Sequence, residues 1–160
     1  RLQGYYQDKG VDTDLVEAVL ATRPTRLLDL DKRLKACQAF RSLPEAESLA
    51  AANKRISNIL KKTDEALPDQ VATTKLTDDA EKQLAGLLAE LNAEVVPMMD
   101  KGDYTPALTR LAALRETVDR FFDEVMVMVD DDELRANRLA LLRDLAGLFL
   151  RVADLSRLQS

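Results

Sequence analysis

Five stretches of this chain repeat their apolar residues at three- and four-residue spacing, which is the spacing of one face of an α-helix. The first joins Leu30, Leu34, Cys37 and Phe40, and the second joins Leu49, Ala52, Ile56, Ile59 and Leu60. Leu84, Leu87, Leu88, Leu91 and Val95 form a third, and Leu108, Leu111, Leu114, Val118, Phe121, Phe122 and Val125 a fourth. The last runs through Leu134, Leu141, Leu142, Leu145, Leu148, Phe149, Val152 and Leu155. Helices with one apolar face must bury it against one another, and no strand hairpin pattern interrupts the series. The expected fold is all-α, a bundle of about six to eight helices.

Capping residues and breakers place the boundaries. A short helix is expected over Leu2–Lys9, closed by Gly10, and Asp14-Leu-Val-Glu17 reads as a capping box for a helix through Ala21 that stops before Arg23-Pro24. Residues 1–22 would then form a lead-in helical pair. The next helix covers about Leu27 to Phe40, and Pro44 is expected as the first residue of the one after it, with Glu45 and Glu47 near its positive end. Residues 63–76 show no period and contain Pro68, so they read as a connector. Asp78-Asp-Ala-Glu81 is a second capping box, and Pro97 is expected to kink or divide the helix it opens, near Glu94. Lys101-Gly-Asp103 reads as a turn, followed by Thr105 as an N-cap and Pro106 at the first helical position. That helix is expected to continue to about Val129, with room for a break near Glu116-Thr117, before Asp130-Asp-Asp-Glu133 opens the final one. At 160 residues the whole reads as a single domain. Its first residue is Arg rather than Met, so it is read as a fragment of a longer protein.

Several kinds of chemistry are excluded at once. There is no His and only one Cys, so neither a Ser-His-acid nor a Cys-His arrangement can be assembled. Cys37 falls on an apolar stripe and reads as a small core hydrophobe; a lone cysteine also fits a reducing cytosol. The five glycines match no phosphate-binding loop. Asp130–Glu133 lacks the partners of a zinc site and the central glycine of a calcium loop, and its acids suit a helix N-terminus better. Met98-Met99 and Met126-Val127-Met128 read as core filling. No apolar run approaches the ~20 residues of a membrane span, and no signal peptide is visible.

Charge is what remains. The formal net charge is -5, yet residues 23–62 carry a net of +6 and the other residues -11. The excess concentrates in Ala51-Ala-Asn-Lys-Arg-Ile-Ser-Asn-Ile-Leu-Lys-Lys62, which holds four cations and no acid. On a helical wheel Lys54, Asn58 and Lys61 form a ridge opposite the apolar stripe, with Arg55 and Lys62 on the adjoining row. The bland reading is a solvated helix face. Against it stand the missing i, i+4 acids and the mixture of Asn with Lys and Arg, which supplies both phosphate partners and a group that reads base edges. RNA, an acidic protein and anionic lipid all fit such a face.

The segment Ala52-Asn-Lys-Arg-Ile-Ser-Asn-Ile-Leu-Lys-Lys62 resembles one that recurs in the β subunits of bacterial heterotetrameric glycyl-tRNA synthetases. Phe121-Phe-Asp-Glu-Val-Met-Val-Met128, Asp130-Asp131, Arg135, Asn137-Arg-Leu139 and Leu141-Leu142 are similar to the C-terminal signature of the same family. Phe149-Leu-Arg-Val-Ala-Asp-Leu-Ser156, Ala21-Thr-Arg-Pro-Thr25 and Asp31-Lys-Arg-Leu-Lys-Ala36 agree as well. The resemblance covers nearly the whole chain. It implies a helical anticodon-binding domain of the DALR type, shared with arginyl- and cysteinyl-tRNA synthetases and placed at the C-terminus of a longer subunit. The four-letter motif that names the type is absent as a literal string; Asp132-Glu-Leu-Arg135 comes nearest. In the family the α subunit of an α2β2 assembly activates glycine with ATP, and β carries tRNA-binding modules. The implied role is therefore non-catalytic, cytoplasmic tRNA binding with no cofactor in this domain and no membrane.

Glycine codons begin with two guanines, so the last two anticodon bases are cytosines, whose Watson–Crick edges offer an N4 donor and N3/O2 acceptors. On the resemblance, Lys54, Arg55, Lys61 and Lys62 would hold phosphate or donate to cytosine, and Asn58 could meet both edge types. Arg33 and Lys35 would extend the track from the preceding helix, and Arg157 would stand outside it. An acidic partner for N4 is needed, and no residue is singled out for it. Asn137 and Arg138, among core-facing neighbours, are expected to be structural. The rival reading is a helical adaptor whose basic face docks an acidic protein or the rest of the β subunit. Low aromatic content leans that way, since single-stranded RNA sites often stack bases on rings and Tyr5, Tyr6 and Tyr104 are the few candidates.

Overall fold

The computed structural model describes residues 13–20 and 27–157. The expected helix over Leu2–Lys9, its Gly10 stop and the Arg23-Pro24 boundary lie outside the described residues. Those described form seven α-helices, three single-turn 3-10 helices and no strand. They are α1 (Thr13–Leu20), α2 (Leu27–Arg41), α3 (Ala46–Lys61), α4 (Asp79–Asp100), α5 (Tyr104–Leu111), α6 (Arg115–Glu124) and α7 (Asp132–Leu150). The 3-10 turns are Thr73–Lys75, Ala112–Leu114 and Leu155–Arg157.

One continuous core joins all seven helices. Helix α2 packs on α5, α4 on α5 and α6, and α3 on both α7 and the Leu155–Arg157 turn. Helix α1 packs on α2, and the amide of Asp154 donates to the carbonyl of Ala18 at 2.9 Å, tying the chain end to α1. Six consecutive residues of α7, Asn137 to Leu142, are buried. A helix enclosed on every side at one level runs through the middle of a bundle instead of over its surface. Phe149 of α7 meets Phe40 of α2 edge to face, with centroids 6.2 Å apart.

The described boundaries depart from expectation in ways that local hydrogen bonding explains. Asp14 sits inside the first turn of α1 and not at its cap, and its carboxylate pairs with Arg41 across to α2 at 2.7 Å. Pro44 lies in a turn two residues ahead of α3, because the amides of Leu43 and Ala46 close turns onto Phe40 and Leu43. Pro97 neither divides nor ends α4 at Glu94; it occupies the last turn, where its missing amide forfeits one helical hydrogen bond and the helix runs only three residues further. Helix α5 starts at Tyr104 after Asp103, so Thr105 and Pro106 fall within its first turn. Pro106 still costs no hydrogen bond there, since the first amides of a helix have no internal partner. The break expected near Glu116-Thr117 comes earlier, as the Ala112–Leu114 turn.

Helix α6 stops at Glu124 rather than continuing to Val129, because Val125 turns to extended backbone at φ -107, ψ 126. Extended backbone alternates its side chains. Val125 and Val127 are therefore buried while Met126 and Met128 are 69% and 60% exposed, so these two methionines do not fill the core as expected. Met99 is buried and Met98 half-buried. Cys37 is fully buried, and burial pushes its thiol up to about 12, so it stays neutral among core neighbours.

The two remaining capping signals are realised. Glu81 Oε1 accepts from the amide of Asp78 at 3.1 Å and from that of Thr77 at 2.9 Å. Asp131 caps α7, accepting at 3.1 Å from the amides of both Glu133 and Leu134. Its neighbours are engaged as well, Asp132 with Arg135 and Glu133 with Lys75. Within the described residues no helix is long and apolar enough to cross a membrane.

Candidate nucleic-acid interface

Two basic regions emerge from the fold, and their chemistry differs. The first is the inner face of α7. Arg138 is buried and donates to Glu81 Oε2 at 2.9 Å, to Thr77 Oγ1 and Asp78 Oδ2 at 3.2 Å, and to the carbonyl of Met126. Asn137 grips the backbone of Ala72 from both sides, accepting from its amide at 2.7 Å and donating to its carbonyl at 3.1 Å. Arg135 holds Glu65 at 2.8 Å, and Arg143 donates to the carbonyls of Pro68 and Asp69 at 2.8 and 3.1 Å. All of these contacts but the one to Met126 land on residues 65–81. The connector without a sequence period is therefore strapped to α7, and the Asn137-Arg138 pair is structural. Burial works against charge on Glu81, but hydrogen bonds from Arg138 and from the Thr77 and Asp78 amides outweigh it and hold its carboxyl below 4.5.

The second region is the outer face of α3. Ala46, Leu49, Ala52, Asn53 and Ile56 turn inward, which forces the positions between them outward. Asn53 looks like part of the polar set by type, yet its amide is spent on the carbonyl of Leu49 at 2.9 Å. Lys54, Arg55, Asn58, Lys61 and Lys62 are all exposed. Ile59 and Leu60, expected in the core stripe, are only half-buried and pack against the edge of the core. Lys61 and Lys62 stand at the C-terminal end of the helix, where its dipole favours cations. Lys54, Lys61 and Lys62 make no ion pair among the described residues.

Two adjoining grooves follow from this arrangement. One, about 360 Å³ and open, is lined by Ala51, Lys54, Arg55, Asn58, Ile59 and Lys62. The other, about 230 Å³, is lined by Lys54, Ser57, Asn58, Lys61, Asp154 and Arg157. Lys54 and Asn58 belong to both and form the ridge between them. The fold thus brings together five of the seven residues selected from sequence. It also adds Arg157 and Asp154, paired with each other at 3.2 Å, which the linear pattern could not reveal. They reach this face because Leu155 is buried and the Leu155–Arg157 turn packs on α3. Arg157, set aside on sequence grounds, lies beside Lys54 and Lys61.

Arg33 and Lys35 line neither groove. Lys35 is exposed on α2, whereas Arg33 is committed within the fold. Its guanidinium donates to Asp29 at 2.7 Å and to the carbonyls of Arg151 and Val152 at 2.7 and 2.9 Å, and lies 4.7 Å from the centroid of the Tyr104 ring. Tyr104 is itself buried and donates to Asp29, so it offers no ring to a stacked base. Burial works against charge on Asp29, but Tyr104 and Arg33 outweigh it and keep the carboxyl below its ordinary value. Aromatic surface does meet the basic face elsewhere: Arg55 lies over the ring of Phe122 of α6, 4.3 Å from its centroid.

Comparison with known proteins assigns the helical domain to a family. The family model described as DALR anticodon binding domain matches residues 49–151, from the start of the α3 stripe to the end of α7. The chain is 60% identical over 159 residues to a protein named glycine–tRNA ligase beta subunit from Aeromonas hydrophila subsp. hydrophila. It is 55% identical to the protein of that name from Marinobacter nauticus and 52% identical to that from Pseudoalteromonas translucida. Each match takes in 99% of this chain but 23% of the relative. The chain therefore spans about a quarter of the length of those relatives. Helix content, core and the matched span lead to one assignment: the chain belongs to the DALR anticodon binding domain family.

Proposed function

We propose that the outer face of α3, continued by Arg157, holds the anticodon arm of glycine tRNA. The domain would act as the non-catalytic, tRNA-binding end of a glycine–tRNA ligase β subunit. Catalysis with ATP would belong to the α subunit of an α2β2 enzyme in the cytoplasm, and this domain would need no cofactor. The observation that carries the reading is the set of exposed cations on α3 that no acid among the described residues neutralises. Among the described residues every arginine but Arg55 is matched to an acid, as Arg41 is to Asp14, Arg110 to Glu94, Arg120 to Glu124 and Arg138 to Glu81, and the unpaired exposed lysines outside α3, such as Lys35, Lys82 and Lys101, stand on other helices or turns. A patch left uncompensated attracts polyanion and repels little of it, while the acidic remainder limits binding elsewhere. The relatives' names point to tRNA, and the family to its anticodon.

The test is binding of the 160-residue chain to glycine tRNA, and to a version with its second and third anticodon bases replaced, at two salt concentrations. Tighter, salt-dependent binding of the native tRNA supports the reading. Equal affinity for both rejects anticodon recognition. Salt-independent or absent binding of either rejects the RNA role of this face.

A further inference from the structure

Arg55 differs from the lysines around it in having an aromatic ring beneath its charged group. Its guanidinium lies over the half-buried Phe122 ring at 4.3 Å from the centroid, and Phe122 is in turn braced edge to face by the buried Phe121, with centroids 5.6 Å apart and planes at 83°. Arg55 is otherwise exposed, and a guanidinium can stack on aromatic planes in a way that an ammonium cannot. That residue lines the larger groove, whose other members are Ala51 and Ile59 with methyl groups, Lys54 and Lys62 with charges, and Asn58 with a side-chain amide. Apolar, cationic and amide groups in one open groove of about 360 Å³ match the three parts of an exposed nucleotide: a flat base, a phosphate and a hydrogen-bonding edge.

We infer that Arg55, held by Phe122, is a base-stacking residue, and that the groove beside it is a subsite for one extruded base of single-stranded RNA. Asn58 meets the edge of that base, and Lys54 and Lys62 meet the flanking phosphates. The inference rests on the anticodon reading above and deepens it, since there the extruded base is one of the two anticodon cytosines. It also accounts for how a chain with so few aromatics stacks a base: the platform is a guanidinium, and the ring lies one layer beneath it.

The experiment uses glycine tRNA carrying the fluorescent analogue pyrrolocytosine at the second or the third anticodon position, titrated with the 160-residue chain, Arg55→Lys, Phe122→Leu and Lys54→Ala. Stacking predicts that the wild type changes the fluorescence at one of the two positions. Arg55→Lys abolishes that change and weakens binding roughly five- to tenfold, with the slope of log affinity against log salt retained because the charge remains. Phe122→Leu does the same if circular dichroism shows native helix content, and Arg55→Lys, a surface change, decides the matter should Phe122→Leu unfold. Lys54→Ala flattens the salt slope and keeps the fluorescence change. Wild-type affinity and fluorescence in Arg55→Lys overturn the inference and leave the anticodon reading standing. Failure of wild type to bind the tRNA at all overturns both.

Discussion

Helices α7 and α3 both carry clustered cations, and the fold uses them in opposite ways. On α7, Arg135, Arg138 and Arg143 point at the segment before α4, whose one regular element ahead of that helix is the Thr73–Lys75 turn, and each bonds carbonyls or carboxylates there. On α3, Lys54, Lys61 and Lys62 point at solvent. Arginine's planar fork suits the first task, since it can bond several fixed acceptors at once. Lysine's compact, hydrated charge suits the second, where a mobile partner arrives from outside. Basic sequence alone does not mark a binding face; a cation becomes informative when the fold leaves it uncompensated.

The contrast predicts that α7 variants lose stability and α3 variants lose binding. The largest effect belongs to Arg138→Met, which strands buried Glu81 and should cost about 3–5 kcal/mol in urea unfolding. Adding Glu81→Met should recover much of that loss, because an apolar pair leaves no buried charge behind. If the single variant were as stable as wild type, the strap would contribute nothing. Asn137→Ala comes next. It leaves the Ala72 amide without its partner and the Ala72 carbonyl with the Lys75 amide alone, and about 1–3 kcal/mol should be lost, with faster proteolysis within residues 63–76 as a second readout.

Acid sharpens the same comparison. Glu81 is held below 4.5, so the unfolded chain takes up its proton first as the pH falls. The stabilisation is fully present above the ordinary carboxyl range and disappears as the pH drops through the lowered folded value. Glu81→Gln should flatten the acid side of the stability curve measured by denaturant midpoint, whereas Lys61→Ala should leave its shape unchanged.

On the α3 side, Lys54→Ala and Lys61→Ala should shift stability by no more than about 0.5 kcal/mol. Each should weaken tRNA binding and reduce the salt slope by about one. Arg157→Ala is expected to give the smallest change in the same direction, since its charge is shared with Asp154. A full loss of stability in Lys54→Ala, or an unchanged salt slope in all three, would erase the distinction between the two regions.

Much of this protein was legible in its linear order. Periodicity located α2, α3, α4 and α7 and ran α5 and α6 together as one, and the acids at Asp78 and at Asp130–Glu133 marked two helix starts, because helix stripes and caps are local interactions among residues a few positions apart. The positions of Lys54, Arg55, Asn58, Lys61 and Lys62 on one side of α3 followed from the same 100° step. Methionines 126 and 128 were misplaced because a switch from helix to extended backbone replaces a period of 3.6 with a period of 2.

Long-range packing decided what periodicity could not. Arg33 sits four residues from Asp29, yet what removes it from the surface is a pair of carbonyls at Arg151 and Val152, more than a hundred residues away. Arg157 joined the basic face, and Phe122 came to lie under Arg55, through the docking of elements distant in sequence. Sequence by itself determined an all-α chain with one helix of clustered charge, since helix formation and amphipathicity are settled within a few turns. Which of those charges stay uncompensated was settled by the tertiary structure, because compensation depends on acceptors that only the folded core brings within reach.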